Sequence, residues 1–107
     1  MRAAVLLNYN EPLIIDTSIR KPEPLADDVL VKIKAAGINP ADYKFARGDL
    51  KMVFGMTFPA ILGMDFSGII EAVGSDVTDF KIGDEVYGNV TPREMTKRGG
   101  SYSEYFI

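Results

Sequence analysis

The sequence predicts a mainly β domain, a small barrel or sandwich with one or two short helices. Three observations lead to this prediction. Short apolar runs follow one another along the chain, separated by turns that contain glycine, proline or asparagine. Only one segment carries clear signals for the start and end of a helix. The 107 residues are the size of one domain, and 47 % of them are hydrophobic, enough for a small core.

The first elements are short strands followed by an extended link. Ala3–Leu7 is an apolar run that a polar turn at 8–12 interrupts, and Leu13–Thr17 can pair back on it. Lys21–Pro24 contains two prolines in alternation, which exclude both a helix and regular ladder pairing. This part of the chain therefore predicts a pair of strands and then an extended linker.

Asp28–Ala36 is the clearest strand. Apolar and polar residues alternate along it with the period of two that a strand requires. One face would carry Val29, Val31, Ile33 and Ala35, and the other Asp28, Lys32 and Lys34. One dry face and one mostly wet face predict a place in an antiparallel sheet or in the wall of a barrel.

The segment after this strand predicts the helix. Pro40 suits the first helical position, where its missing N–H costs nothing, and Asn39 before it is a favoured N-cap residue. Ala41–Arg47 then has room for about two turns. Gly48 is a typical residue to end them, so the helix is predicted to be short.

The rest of the chain predicts further strands and loops. We expect Asp49–Phe58 to be irregular, Asp65–Val73 to be a second long strand and Glu85–Gly88 to be a short one. Thr91–Arg98 is polar and predicts a loop. Ser101–Ile107 predicts a final short strand, and because this run reaches the last residue we expect the chain to be a piece of a longer protein.

Composition excludes several kinds of chemistry and partner. The sequence has no cysteine for disulfides or thiolate chemistry, and no histidine, the commonest metal ligand and general base. The net charge of -3 and the scattered basic residues argue against nucleic acid or an anionic membrane as a partner. No apolar run reaches the roughly 18 residues of a membrane span, and no signal peptide is recognisable, so we expect a cytoplasmic protein.

Four blocks of sequence, taken in order, resemble one superfamily. They are GINPADYKFARG (37–48), FPAILGMDFSGIIEAVG (58–74), VTDFKIGDEVYG (77–88) and GGSYSEYF (99–106). Together they resemble the N-terminal half of the medium-chain dehydrogenase/reductase superfamily, and most closely its zinc-independent, quinone oxidoreductase-like and enoyl reductase-like branches. Each block is weak by itself, and the specificity lies in their order over nearly the whole chain.

This resemblance implies a GroES-like, partly open β-barrel over residues 1–107, which forms most of a catalytic domain. In the superfamily a Rossmann domain follows and binds the nicotinamide cofactor. No strand–turn–helix unit with a G-x-G-x-x-G fingerprint occurs here, and Gly63 and Gly68 do not fit that spacing. We therefore expect the Rossmann domain to be absent from this chain, NADPH to bind mainly there, and the isolated chain to show little turnover.

The resemblance also bears on zinc. Zinc members of the superfamily carry a cysteine and a histidine–glutamate pair at positions that here hold Asn39, Met64 and Asp65. A catalytic zinc needs about three Cys, His or carboxylate ligands, and one aspartate is too few. The segment 89–100 also lacks the cysteines of the structural zinc lobe. We expect no zinc, with Met64 packing at the metal position and Asp65 in a structural role.

The candidate site residues surround the start of the predicted helix. The resemblance implies that Asn39 lies at the cleft and contacts the nicotinamide end of the cofactor or the substrate, with a plain N-cap as the alternative. Tyr43 is the second candidate catalytic residue, as a donor to an oxyanion. Pro40 and Lys44 complete the expected cofactor contacts. For Tyr43 and Lys44 the alternative is a solvated helix face.

Neighbouring polar and aromatic residues have structural interpretations beside functional ones. Asp42 would brace the cluster or act as an acid that favours the helix dipole. Arg47 suits the end of the helix, with a contact to a cofactor phosphate as the alternative. Tyr87 and Tyr102 would pack in the core or on the surface, or else line a substrate cleft.

The expected reaction follows from these absences and candidates. Without zinc as a Lewis acid, hydride transfer from NAD(P)H to a quinone or an α,β-unsaturated carbonyl needs only orientation and charge stabilisation from the protein. The partner would be that small molecule. A homodimer is common in the superfamily, with an interface mostly in the Rossmann half. The alternative, favoured by the missing dinucleotide fingerprint, is a non-catalytic GroES-like interaction module.

Overall fold

Strands dominate the computed structural model, which describes residues 1–107. Seven strands and two short helices follow one another along the chain. The elements are β1 (Ala3–Leu6), β2 (Ile14–Asp16), β3 (Val29–Gly37), α1 (Pro40–Arg47), β4 (Ala60–Ile61), β5 (Asp65–Val73), β6 (Glu85–Asn89), α2 (Pro92–Arg98) and β7 (Tyr105–Phe106). This arrangement confirms the predicted mainly β class.

The strands form two antiparallel sheets. The smaller has the order β2-β1-β4, so the second apolar run does pair back on the first, as predicted. The larger has the order β6-β5-β3-β7, with the long strands β3 and β5 at its centre. Residues 49–59 between α1 and β4 contain no strand or helix, which confirms the predicted irregular segment.

The central strand β3 does not keep the predicted alternation of faces. Its pairing with β5 shifts register between Leu30 and Val31 and again between Ile33 and Ala35. Because one inserted residue turns every later side chain to the opposite face, Leu30 and Val31 are buried in succession and Ala35 is exposed. The predicted dry face was wrong for this reason, although the strand itself is confirmed.

Helix α1 forms where its capping residues predict it. Asn39 is the N-cap, Pro40 opens the first turn, and Gly48 ends the helix with a left-handed φ of 85°. Glycine adopts that conformation without the steric penalty that a Cβ would bring. The helix buries Asp42 and Phe45 and exposes its other side.

Helix α2 replaces a predicted loop, so the prediction for Thr91–Arg98 was wrong. Thr91 caps the helix by accepting the Glu94 N–H at 3.2 Å, and Pro92 occupies the first helical position. Basic residues at the end of the helix complement its dipole. Only Met95 is buried, so the segment lacks the apolar stripe that makes a helix visible in a sequence.

The last residues connect the two sheets. Only Tyr105–Phe106 is a strand, because the chain before it crosses from one sheet to the other rather than running along β3, and the predicted strand at Ser101–Ile107 was too long. Ser103 forms an isolated antiparallel bridge with Ala3 in the small sheet. The segment therefore closes the gap between sheets that share no strand.

The main core lies between the small sheet and the helices. Its members come from β1, α1, β4, α2 and the connection between β4 and β5, and they are Leu6, Phe45, Ala60, Leu62, Met64 and Met95. Phe45 and Phe54 pack with ring centroids 5.7 Å apart at its margin. None of the helices is long and apolar enough to cross a membrane.

An ion pair fixes α2 to the turn before β3. Arg98 donates Nη1 to Asp28 Oδ1 at 3.1 Å and Nη2 to Oδ2 at 2.6 Å, and the Leu25 N–H adds a bond to Oδ2 at 2.9 Å. The bond from Arg98 is the main reason that the pKa of Asp28 lies below its ordinary value, and the bond from Leu25 also lowers it. Only 13 % of the Asp28 side chain is exposed, so solvent screens this pair less than most.

We expect Asp28→Asn to lower the free energy of unfolding at pH 7 by about 1 kcal/mol, because the charged pair is lost. Because the pKa of Asp28 is lower in the folded than in the unfolded state, its charge stabilises the folded state at pH values above the unfolded pKa of about 3.9. This stabilisation is lost as the pH falls through the folded pKa. The difference in free energy of unfolding between variant and wild type, measured with urea, should therefore shrink as the pH falls from about 5 to about 3. Asp79→Asn, at an exposed carboxylate without a partner, is the control. A constant difference at every pH would contradict the assignment.

Candidate functional site

The carboxylate of Asp42 is the centre of the candidate site. Asp42 is 4 % exposed and lies in the first turn of α1. Its Oδ2 accepts the Asn39 N–H and the Tyr102 hydroxyl, both at 2.8 Å, while Oδ1 accepts the Gly63 N–H at 3.1 Å. A buried carboxylate is costly unless its oxygens are hydrogen-bonded, and these three donors meet that requirement.

The three donors come from different parts of the chain. Asn39 precedes α1, Gly63 lies between β4 and β5, and Tyr102 lies in the segment that connects the sheets. One side chain thus joins three segments that pack around the start of α1. Both interpretations made from the sequence agree with the structure, since Asp42 braces the cluster and is also the acidic residue in the first turn of α1.

Asn39 is half-buried, and its side chain points to β5. Asn39 and Asp42 are arranged as a capping box, in which the formed bond runs from the Asn39 backbone N–H to the Asp42 carboxylate. The Asn39 side chain makes no capping hydrogen bond. Its Nδ2 donates instead to Asp65 Oδ2 at 2.7 Å. Asn39 therefore occupies the N-cap position while its amide is fixed by an aspartate 26 residues later in the chain.

Tyr102 belongs to the site through its hydroxyl. Burial first, and then the bond to Asp42 and the charges of Asp42 and Asp65, raise the pKa of the Tyr102 hydroxyl above its ordinary value of 10.0. The hydroxyl therefore stays protonated at neutral pH and acts as a donor. The sequence interpretation offered only packing or a cleft wall for this residue. A bond to a residue 60 positions earlier leaves no local signal in a sequence.

Gly63 makes room for this arrangement. Its φ is +99°, and a Cβ built on it would lie 2.6 Å from both Ser101 Oγ and Tyr102 Cδ1. Contacts under 3.0 Å require the ring or the backbone to shift. The structure therefore shows that this glycine serves both an unusual backbone conformation and a close approach.

Met64 and Asp65 take the structural places expected of them. Met64 is 9 % exposed and belongs to the main core. Asp65 opens β5, accepts the Asn39 amide through Oδ2, and accepts the Ser101 hydroxyl through its backbone carbonyl at 2.8 Å. The position of the zinc-site cysteine thus holds an amide bonded to a carboxylate.

The residues of this chain do not fit a zinc ion. The structure contains no group of three or more His, Cys, Asp or Glu side chains that could hold a metal. The three candidate positions supply one amide, one thioether and one carboxylate, and the amide already occupies Oδ2 of that carboxylate. A zinc site needs three or four thiolate, imidazole or carboxylate donors, and only the carboxylate here is of that kind.

The other predicted site residues lie on the exposed side of α1. Tyr43 is 51 % exposed and Lys44 is also exposed, and neither side chain has a hydrogen bond within the chain. Pro40 is exposed at the helix start. Arg47 donates Nη2 to Asp49 at 2.6 Å and lies over the Tyr43 ring at 5.4 Å from its centroid, which supports the helix-end interpretation.

These residues divide into a fixed group and an available group. Asn39, Asp42 and Asp65 are held by bonds to one another and to the backbone, whereas Tyr43 and Lys44 have donors free for a ligand. A hydroxyl and an ammonium can each donate a hydrogen bond to a carbonyl oxygen or a phosphate.

Two further features lie away from this group. Tyr87 is 88 % exposed on the edge strand β6, which excludes the core among the locations considered for it. A cleft of about 260 Å³ separates the segment 56–61 from the end of α2, and none of the candidate site residues lines it. Its side chains include Met56, Met95 and Lys97.

Comparison with protein families identifies the domain. The model of the alcohol dehydrogenase GroES-like domain matches residues 25–107. A similar relative is the NADPH-dependent alkenal/one oxidoreductase, chloroplastic, of Arabidopsis thaliana, 39 % identical over 98 % of this chain and 28 % of its own. Another is the 2-methylene-furan-3-one reductase of Solanum lycopersicum, 37 % identical over 87 % of this chain and 24 % of its own.

Solved structures agree with the relatives. An alcohol dehydrogenase superfamily protein from Novosphingobium aromaticivorans aligns with a TM-score of 0.88 and 35 % identity, over 99 % of this chain and 31 % of its own. The quinone oxidoreductase from Coxiella burnetii aligns with a TM-score of 0.76 and 30 % identity, over 99 % and 33 %. The chain thus spans about a quarter to a third of the proteins that it matches. The predicted GroES-like fold is confirmed.

We expect Gly63→Ala to lower the free energy of unfolding by about 2–4 kcal/mol, because the methyl group meets Ser101 and Tyr102 in a left-handed backbone conformation. Urea unfolding of the chain measures the effect. The matched control is Gly55→Ala, since a Cβ at that position meets nothing within 4 Å, and its change should stay within about 0.5 kcal/mol. Equal midpoints for the two variants would show that the space at Gly63 is not needed.

Proposed function

The chain belongs to the alcohol dehydrogenase GroES-like domain family, and we propose that it is the catalytic-domain portion of an NAD(P)H-dependent oxidoreductase. The proposed reaction is hydride transfer to a quinone or to an α,β-unsaturated carbonyl. The observation that carries it is the fixed group of Asn39, Asp42 and Asp65 at the start of α1, on a helix whose exposed side carries the unbonded donors of Tyr43 and Lys44. The names of the Arabidopsis and Coxiella proteins, an alkenal/one oxidoreductase and a quinone oxidoreductase, support the same substrate classes.

The cofactor, when bound, supplies the hydride. The remaining work falls to orientation and charge stabilisation, which this chain's residues can perform. We assign Asn39, Pro40 and Lys44 to the nicotinamide end of the cofactor, and Asn39 and Tyr43 to the reacting end of the substrate. Negative charge that develops on the carbonyl or quinone oxygen needs a donor, and the Tyr43 hydroxyl is unoccupied.

The donor set also supports a zinc-independent reaction. Amide, thioether and carboxylate side chains at Asn39, Met64 and Asp65 replace the ligands expected for a catalytic zinc. One relative has a contrary name, the zinc-type alcohol dehydrogenase-like protein of Staphylococcus aureus, 38 % identical over 80 % of this chain and 23 % of its own. The proposal rests on the side chains of this chain. The metal content of the parent protein decides between a zinc-independent and a zinc-dependent enzyme.

Several finer features of the parent protein belong to the same proposal. NADPH rather than NADH is favoured by the name of the Arabidopsis relative. A Rossmann domain outside these residues would bind most of the cofactor, the isolated 107-residue chain would be nearly inactive, and the parent protein would form a homodimer in the cytoplasm. Residues of the parent protein outside this chain would contribute to the choice of substrate within the quinone and enone classes.

We expect Asn39→Ala in the parent protein to lower kcat/KM for NADPH-dependent enone or quinone reduction by about 10- to 100-fold. The expected loss corresponds to about 1–3 kcal/mol for a polar contact and its bracing. Steady-state absorbance at the NADPH band measures the rate. Thr78→Ala, at an exposed turn residue without hydrogen bonds, is the control and should keep the wild-type rate.

The same assay separates the two function classes. A parent protein that binds NADPH and loses turnover with Asn39→Ala supports the reductase. A parent protein that neither binds NADPH nor turns over any quinone or enone would contradict it and favour the non-catalytic interaction module.

We expect the purified parent protein to contain no stoichiometric zinc and to keep its reductase activity in 1,10-phenanthroline. The reason is the donor set at Asn39, Met64 and Asp65, which is too weak for a catalytic zinc. Elemental analysis and activity after chelation measure this, with a zinc-dependent alcohol dehydrogenase treated in parallel. One zinc per chain whose removal abolishes turnover would overturn the zinc-independent assignment.

A further inference from the structure

We propose that Tyr102 is a positioning residue that acts through Asp42 to hold Asn39 in its orientation. The catalytic consequence rests on the function proposed above. The geometric part does not, since it concerns hydrogen bonds within this chain. Nothing in the sequence interpretation gave the hydroxyl of Tyr102 this role.

The geometry of one oxygen atom carries the proposal. Asp42 Oδ2 accepts both the Tyr102 hydroxyl and the Asn39 backbone N–H, each at 2.8 Å. The two donors thus bond the same oxygen atom and together fix its position. Asn39 in turn donates its side-chain amide to Asp65 at 2.7 Å. A continuous series of hydrogen bonds therefore runs from Tyr102 to the residue that we assign to the cofactor and substrate.

Tyr102 is itself anchored firmly enough to orient another side chain. Its backbone N–H donates to Leu62 at 3.0 Å, and its carbonyl accepts the Ala4 N–H at 2.8 Å. The preceding residue, Ser101, donates its N–H to the Gly63 carbonyl at 2.9 Å. The ring passes close over Gly63, where any side chain would collide with it. The hydroxyl is therefore a donor on a fixed support.

The charges at the site explain why a neutral donor is suited to this place. Two carboxylates, Asp42 and Asp65, lie on either side of Asn39, and no lysine or arginine forms an ion pair with either of them. Amide and hydroxyl donors alone satisfy them. Without the Tyr102 hydroxyl, only the Asn39 and Gly63 N–H groups hold the carboxylate, so its orientation is less firmly fixed and the bond to the Asn39 N–H is weakened. The phenyl ring of Tyr102→Phe would still fill the same space.

The decisive experiment is a double-mutant cycle in the full-length parent protein with Tyr102→Phe, Asn39→Ala and the double variant. Tyr102→Phe should lower kcat by about tenfold, which is the size of one lost hydrogen bond, with little change in KM for the substrate. In the Asn39→Ala background the same substitution should change kcat by less than about twofold, because the side-chain amide that Tyr102 helps to position is absent. Tyr105→Phe, which removes a hydroxyl that contacts Glu71 elsewhere, should leave kcat unchanged. Additive effects of the two substitutions would overturn the proposal.

A second measurement does not depend on turnover. The side-chain amide of Asn39 gives ¹⁵N–¹H signals in the asparagine-labelled parent protein, identified by their absence in Asn39→Ala. Tyr102→Phe should shift or broaden these signals, and Tyr105→Phe should not. Unchanged Asn39 signals in folded Tyr102→Phe would overturn the positioning role. A wild-type parent protein without any turnover would refute the proposed function instead, and these signals would still decide the role of Tyr102.

Discussion

The buried carboxylate of Asp42 is the constraint on which the rest of the site depends. A carboxyl group that is almost fully enclosed needs hydrogen-bond donors, and here each donor comes from a different part of the chain. Satisfying that one side chain therefore determines where α1 starts, how close the β4–β5 connection approaches, and where the ring of Tyr102 lies. A shift of any of these three segments would therefore break a hydrogen bond to Asp42.

The fold was largely readable from the sequence, and the site only in part. Capping residues around Pro40 and the long apolar run of β5 are local signals, and both elements formed as predicted. Helix α2 was missed because it buries one side chain and so has no apolar stripe. The faces of β3 were wrong because bulges depend on the partner strand. Asn39 was singled out through its block of sequence. The bonds from Tyr102 to Asp42 and from Asn39 to Asp65 join distant residues, which periodicity and spacing do not reveal.

The same scaffold can serve two chemistries through a few side chains. The resemblance places the ligands of the superfamily's zinc members at three positions, and this chain fills them with an amide, a thioether and a carboxylate. The thioether enters the core, while the other two bond to each other. The side chains at these three positions thus contribute to the core packing and to the polar bracing of the site.

The segment that connects the two sheets has a consequence for the order of events during synthesis. Ala3 pairs with Ser103, and the Arg2 N–H bonds to Glu104, 102 positions away. Contacts of such long sequence separation form late and slow folding, since the intervening chain must first be brought together. A nascent chain leaving the ribosome can pair β3 with β5 early. It cannot join the two sheets through the Ala3–Ser103 bridge, or bury Asp42 with its full set of donors, until residues 99–106 have emerged from the exit tunnel.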